Sequence, residues 1–142
     1  MFYLSDKYPE AVGYAAAAHA RQLRKGTNIP YVSHPIAVSA LVVEHGGNEV
    51  QAIAALLHDV LEDCGAHHGP VIAARFGADV LRIVEGLTDG LPDHRGVKPP
   101  SRHGANARSV TSRILRARTS MSFSCRPATS CTTRRRSRTI TR

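Results

Sequence analysis

Ala52–Asp63 reads AIAALLHDVLED. Extended by Val50, the apolar residues Ile53, Ala54, Leu56, Leu57, Val60 and Leu61 lie nearly all round a helix, which marks a central, buried element. Asn48 is a good N-cap, and Gln51 three residues on completes a capping box. Gly65 supplies the stop. The spacing therefore predicts a helix from Glu49 to about Asp63. Into it the sequence sets four ionisable groups, His58, Asp59, Glu62 and Asp63, which are costly to bury unless paired or bound to a metal.

Their spacing is informative. His58 with Glu62, and Asp59 with Asp63, are four residues apart and stack on one helix face. His58 and Asp59 diverge by about 100° yet can converge on one ion between them. Imidazole beside carboxylate suits a first-row divalent cation. Glu62 and Asp63, one turn on, are placed to contact water on that ion as base or acid. The structural alternative makes Glu62 a solvated residue and Asp63 a helix-end residue, but the helix dipole opposes an acid at a C-terminus.

Outward from this helix, Pro9–Lys25 is Ala-rich, with Val12, Ala15, Ala16, His19 and Leu23 near one face, and reads as a helix stopped by Gly26. Thr27–Ser33 contains Pro30 and reads as a loop. Pro35 suits the first turn of a second helix that carries Ile36, Val38, Leu41 and Val42 and ends at Gly46-Gly47. Pro70–Phe76 and Asp79–Leu87 read as two more helices separated by Gly77. No segment alternates as a strand does, and no repeat is present, so the class is all-α.

Other polar residues have two readings. His34, at the loop–helix junction before Pro35, is either a surface residue or the third ligand that His58 and Asp59 need. Arg21, Arg24 and Lys25 suit the C-terminus of the first helix through its dipole. The functional reading is phosphate or base contact, by forked and point-charge contacts, but spacing alone favours the dipole reading. His67-His68 reads as a solvated loop, Cys64 as a small buried residue, and His19 as a satisfied core histidine.

The charge is uneven. Residues 1–97 hold seven of the 19 Lys+Arg and all 11 acids, a net of −4, while residues 98–142 hold the other 12 basic residues and no acid, a net of +12. The first part can bury a core. The second, rich in Arg, Ser and Thr, is expected to be a disordered, low-complexity tail that cannot repay the entropy of ordering. The boundary is expected near Val97–Ser101. No apolar run approaches the ~18 residues of a membrane span, and no basic-then-apolar signal opens the chain. Three Cys without an export signal argue against a disulfide framework and for a reducing cytoplasm.

Three stretches together carry a resemblance: AHARQLRKGTNIPYVSHPIAV (Ala18–Val38), AIAALLHDVLED (Ala52–Asp63) and ARFGADVLRIVEGLTD (Ala74–Asp89). In this order, RK, PYxxHP and HDxxED resemble the HD-domain family, and within it the hydrolase domain of RelA/SpoT-type enzymes and small alarmone hydrolases. The resemblance covers roughly residues 9–95. It implies a helical bundle of about five helices in residues 6–90. It also implies one divalent ion, usually Mn²⁺, and hydrolysis of the 3′-pyrophosphate of guanosine tetra- and pentaphosphate. By the match, His34, His58 and Asp59 resemble the metal ligands, Glu62 and Asp63 the catalytic acidic pair, and Arg24 and Lys25 the pair that approaches the guanine nucleotide. Gln22 matches the glutamine before that pair. The synthetase segment found in longer relatives of this kind has no counterpart.

One departure matters. The family completes its metal site with an Asp in a motif resembling DKLHNA, and this chain has no acid after Asp93. Pro127–Arg134 admits the back-translation CCG GCG ACA AGC TGC ACA ACG CGC. Two nucleotides on, it reads Gly-Asp-Lys-Leu-His-Asn-Ala. An out-of-frame tail is therefore expected, with an incomplete domain over 1–97 and low or no hydrolase activity. Two alternatives stay open: an HD phosphohydrolase acting on another nucleotide, and a non-catalytic protein that binds nucleic acid through the Arg-rich tail. The second lacks a stacking platform, because Phe123 is the tail's only aromatic residue.

Overall fold

The computed structural model describes residues 3–88 and 107–117. Six α-helices run in order: α1 Lys7–Ala18, α2 Ser33–Glu44, α3 Glu49–Leu57, α4 His68–Phe76, α5 Ala78–Leu87 and α6 Ala107–Arg116, with a π-helical turn, Val60–Cys64, between α3 and α4. The described residues contain no named strand; Leu23 and Pro30 form an isolated antiparallel bridge. The all-α class and the five helices expected before residue 90 are present.

The capping box at Asn48 forms as its sequence dictates: the Asn48 side chain accepts from the Gln51 amide at 3.0 Å, and Gln51 Oε1 accepts from the Asn48 amide at 3.0 Å. α3 is the hub. Its residues from Gln51 to Leu57 are all buried, and it packs against α1, α2, α5 and α6. Ser39 ties three helices together: its hydroxyl donates to the Ala52 carbonyl at 2.9 Å, and Tyr8 Oη lies 2.9 Å from it. Gly47 allows the tight α2–α3 turn, since a Cβ there would sit 2.8 Å from the Val42 carbonyl oxygen.

Three expectations change. The first helix stops at Ala18 rather than Lys25, because residues 19–32 turn back on themselves: the Arg24 amide donates to the Ile29 carbonyl and the Tyr31 amide to that of Gln22, at 2.9 and 2.8 Å. Arg21, Arg24 and Lys25 thus lie beyond the helix, and the dipole account of them lapses. The central helix ends as an α-helix at Leu57; His58-Asp59 is a turn that leads into the wider π-helical segment. Single-turn π segments are frequent at functional sites.

The third change concerns the segment 98–142. It is described only over 107–117, and there it is a helix whose Val110, Thr111 and Ile114 are buried. Val38, Val42, Ala52, Ala55, Val110 and Ile114 form one apolar cluster, and Gln51 Nε2 donates to the Ile114 carbonyl at 3.0 Å. A short amphipathic stretch among arginines repays its ordering by burying this face. The expected disorder at 99–106 and 118–142, and the boundary at Val97–Ser101, lie outside the described residues. No helix among the described residues is long and apolar enough to cross a membrane.

Candidate functional site

The end of α3 and the start of α2 bring His34, His58 and Asp59 together. Each offers one ligand atom, and the three atoms lie within 4.8 Å of one another. His58 Nε2 is 3.0 Å and His34 Nε2 3.7 Å from Asp59 Oδ2, and the two imidazole centroids are 5.3 Å apart. His34 comes from the second position of α2, which Pro35 rigidifies; His58 and Asp59 come from the break between α3 and the π-helical turn. His34 is thus half-buried beside His58 and Asp59 rather than out on the surface.

The electrostatics follow from burial and contact. Burial opposes the Asp59 charge, but the hydrogen bond and charge of His58, with a hydrogen bond from Tyr31 and the charge of His34, outweigh it and hold the carboxyl at about 2. Burial likewise opposes charge on His58, yet its contact with Asp59 raises it above the ordinary imidazole value. His34 is lowered by burial and by the nearby His58. His58 Nδ1 lies 2.9 Å from the Ala55 carbonyl, so Nδ1 donates there and Nε2 is the atom turned to the cluster. Ligating histidines are usually fixed this way, with the second ring nitrogen donating to a backbone carbonyl. Two imidazole nitrogens and one ionised carboxylate oxygen form a donor set suited to a first-row divalent cation.

Around the cluster stand residues the motif reading underrated. Tyr31 Oη donates to Asp59 Oδ2 at 2.6 Å. Burial, then the Asp59 charge and hydrogen bond, push that hydroxyl far above the ordinary phenol range, so it stays a donor. Gln22 Nε2 donates to Asp63 Oδ2 at 2.8 Å, and Gln22 Oε1 lies 2.6 Å from His19 Nδ1. His19 is buried as expected but not satisfied, since its Nε2 has no partner among the described residues. The signal for both was present in the quoted stretches: Tyr31 in PYxxHP and Gln22 before RK. Only their contacts give them roles.

Glu62 and Asp63 occupy the π-helical turn and are half-buried. Arg24 lies close enough for its charge to bear on His34, while Lys25 stands exposed on the same loop. His68 departs from the solvated loop expected of it: it begins α4, half-buried, with Nδ1 2.5 Å from Tyr14 Oη. Cys64 is half-buried, its thiol donating to the Ala18 carbonyl at 3.4 Å.

Comparison with known proteins agrees with this geometry. The family model described as HD domain matches residues 11–116. The guanosine-3′,5′-bis(diphosphate) 3′-pyrophosphohydrolase MESH1 of Xenopus tropicalis is 41% identical over 83 residues, 56% of this chain and 46% of the relative. The guanosine-3′,5′-bis(diphosphate) 3′-pyrophosphohydrolase of Aquifex aeolicus is 39% identical over 84 residues, 59% of this chain and 12% of the relative. A solved structure, titled as a metazoan ortholog of SpoT that hydrolyzes ppGpp, superposes with a TM-score of 0.61 at 35% identity, covering 72% of this chain and 56% of that one. The chain spans half or less of the length of these two sequence relatives. The family match runs from within α1 to the last residue of α6 and takes in the whole His34–His58–Asp59 cluster: this chain belongs to the HD-domain family.

Proposed function

We propose that the chain carries the metal-binding and acid–base part of a (p)ppGpp 3′-pyrophosphohydrolase of the cytoplasm. The observation that carries the reading is the convergence of His34, His58 and Asp59 within 4.8 Å, beside Glu62 and Asp63. These three residues would hold one divalent cation, and we assign Mn²⁺ to it. When bound, the cation would supply a Lewis acid for a diphosphate oxygen.

The chain's own groups divide the remaining tasks. Glu62 and Asp63 are the acceptors placed to take the proton of an attacking water and to return one to the leaving group. Arg24 and Lys25, on the loop beside His34, would orient the guanine nucleotide, Arg24 by forked contacts and Lys25 as a point charge. Gln22 orders Asp63 and Tyr31 orders Asp59. The water oxygen bonds to the 3′-linked phosphorus, the P–O3′ bond breaks, pyrophosphate is released, and the 3′ oxygen takes the returned proton as a hydroxyl.

The frame argument extends the proposal. An Asp missing from residues 127–134 deprives the site of an anionic ligand, so the 142-residue chain would hydrolyse slowly or not at all. Those residues lie outside the described ones. The test is a substrate panel of guanosine tetraphosphate and other nucleotides, with Mn²⁺, on the chain and on a version with the frame restored. Preferential release of pyrophosphate from guanosine tetraphosphate by the restored version is expected. Turnover of another nucleotide alone would favour the wider phosphohydrolase reading, and no turnover by the restored version would refute both.

A further inference from the structure

His19 is almost fully buried, 2% exposed, at the C-terminus of α1. Three contacts surround it. Its Nδ1 lies 2.6 Å from Gln22 Oε1 and 3.7 Å from Cys64 Sγ, and the Tyr31 ring sits 5.0 Å away between centroids, while Nε2 meets no partner among the described residues. A buried polar atom without a partner is uncommon and costly, so the arrangement must be fixed by something else.

The proton order along this chain has one consistent solution. A carboxylate only accepts, so Asp63 Oδ2 requires the N–H₂ end of the Gln22 amide at 2.8 Å. The opposite amide orientation would set two oxygens against each other at that distance. With N–H₂ toward Asp63, the amide oxygen faces His19, and Nδ1 must carry the hydrogen. A second proton on Nε2 would be a buried N–H with no acceptor, so Nε2 stays bare. Cys64 fits the same order: its S–H is directed to the Ala18 carbonyl, which leaves the sulfur as a weak acceptor toward Nδ1–H.

We propose that His19 is a positioning residue: its imidazole, donating from Nδ1, fixes the Gln22 amide, and the amide in turn holds the Asp63 carboxylate in place beside the His34–His58–Asp59 cluster. His19 touches none of the cluster's ligands through a hydrogen bond; it acts through Gln22. The role in turnover rests on the function proposed above, whereas the proton order does not.

The experiment uses the 142-residue chain labelled with ¹⁵N, its His19→Phe variant, which keeps a planar ring but loses the donor, and His19→Asn, whose amide N–H₂ can take the place of Nδ1–H. Imidazole ¹⁵N spectra of the parent should show His19 protonated at Nδ1 and bare at Nε2. The Gln22 side-chain amide should give two distinct, slowly exchanging protons in the parent and in His19→Asn, and faster-exchanging, averaged ones in His19→Phe. Where pyrophosphate is released, His19→Phe should lower kcat roughly 10–100-fold with KM changed less than about threefold, and His19→Asn should restore most of it. His19 protonated at Nε2, or a Gln22 amide unchanged in His19→Phe, would overturn the proposal. Absence of turnover in the frame-restored chain, with the spectra as expected, would instead count against the function and leave the His19–Gln22–Asp63 contact standing.

Discussion

At the scale of single residues, the site is an arrangement of protons as much as of side chains. Asp59 accepts from Tyr31 Oη at 2.6 Å and lies 3.0 Å from His58 Nε2. Tyr31→Phe keeps the ring against His19 and His34 and removes that donor. Loss of such a supporting hydrogen bond typically weakens a metal site 10–100-fold, and we expect about a tenfold loss of Mn²⁺ affinity by calorimetry. An unchanged affinity would show that Asp59 needs no orienting. The pH dependence has a definite sign. His58 is raised in the folded protein, burial notwithstanding, by its contact with Asp59. Its contribution to metal-free stability is therefore full below 6.5 and is lost as pH rises through the raised value. Asp59 is lowered from 3.8 to about 2, so its contribution is present above 3.8 and is lost as pH falls through about 2. A cation at Nε2 must displace the His58 proton. Apparent Mn²⁺ affinity should accordingly rise with pH until His58 is neutral, with proton release seen as a buffer-dependent binding enthalpy. A flat profile over pH 6–8 would contradict this proton inventory.

The elements show where local pattern was a sufficient guide and where it was not. α3 declared itself through an apolar surface on every side and a capping box, and both are present. Its end did not, because periodicity cannot tell an α-helix from one that breaks at His58 and widens into a π-helical turn. The helical pattern of α1 runs past its end at Ala18 for a related reason. Residues 19–25 keep helical spacing, but Tyr31 and Gln22 pair across the loop instead. α6 was hidden by composition: arginines surround the few apolar residues that matter, Val110 and Ile114. What orders it is a groove made elsewhere, by Val38, Val42, Ala52 and Ala55. Ile114 is fully buried, and large-to-small changes at such sites cost about 2–5 kcal/mol. Ile114→Ala should lower stability in urea by that amount. A loss below about 0.5 kcal/mol, the range of surface changes, would mean that α6 is not part of the cooperative unit.

For the whole molecule, the sequence divides by charge at residue 97, but the fold does not follow that line. The family match and the packed helix α6 both reach residue 116. The cluster of His34, His58 and Asp59 was legible because its residue types and order are specific, His34 before a proline and then His58-Asp59. The supporting set of Tyr31, Gln22 and His19 was not, because it depends on a loop whose path only the fold supplies. The expected frame change makes a separate prediction. The gene should encode DKLHNA in an alternative frame across codons 127–134, and a gene with no such frame there would refute it.

The central claim is that His34, His58 and Asp59 form one cation site. Its most direct test is a Mn²⁺ titration of the 142-residue chain followed by electron paramagnetic resonance, alongside Asp59→Asn and His58→Ala. The account predicts one Mn²⁺ per chain, with binding weakened at least about tenfold in each variant. An Asp59→Asn or His58→Ala chain that bound Mn²⁺ as tightly as the parent, or a parent that bound none, would contradict it.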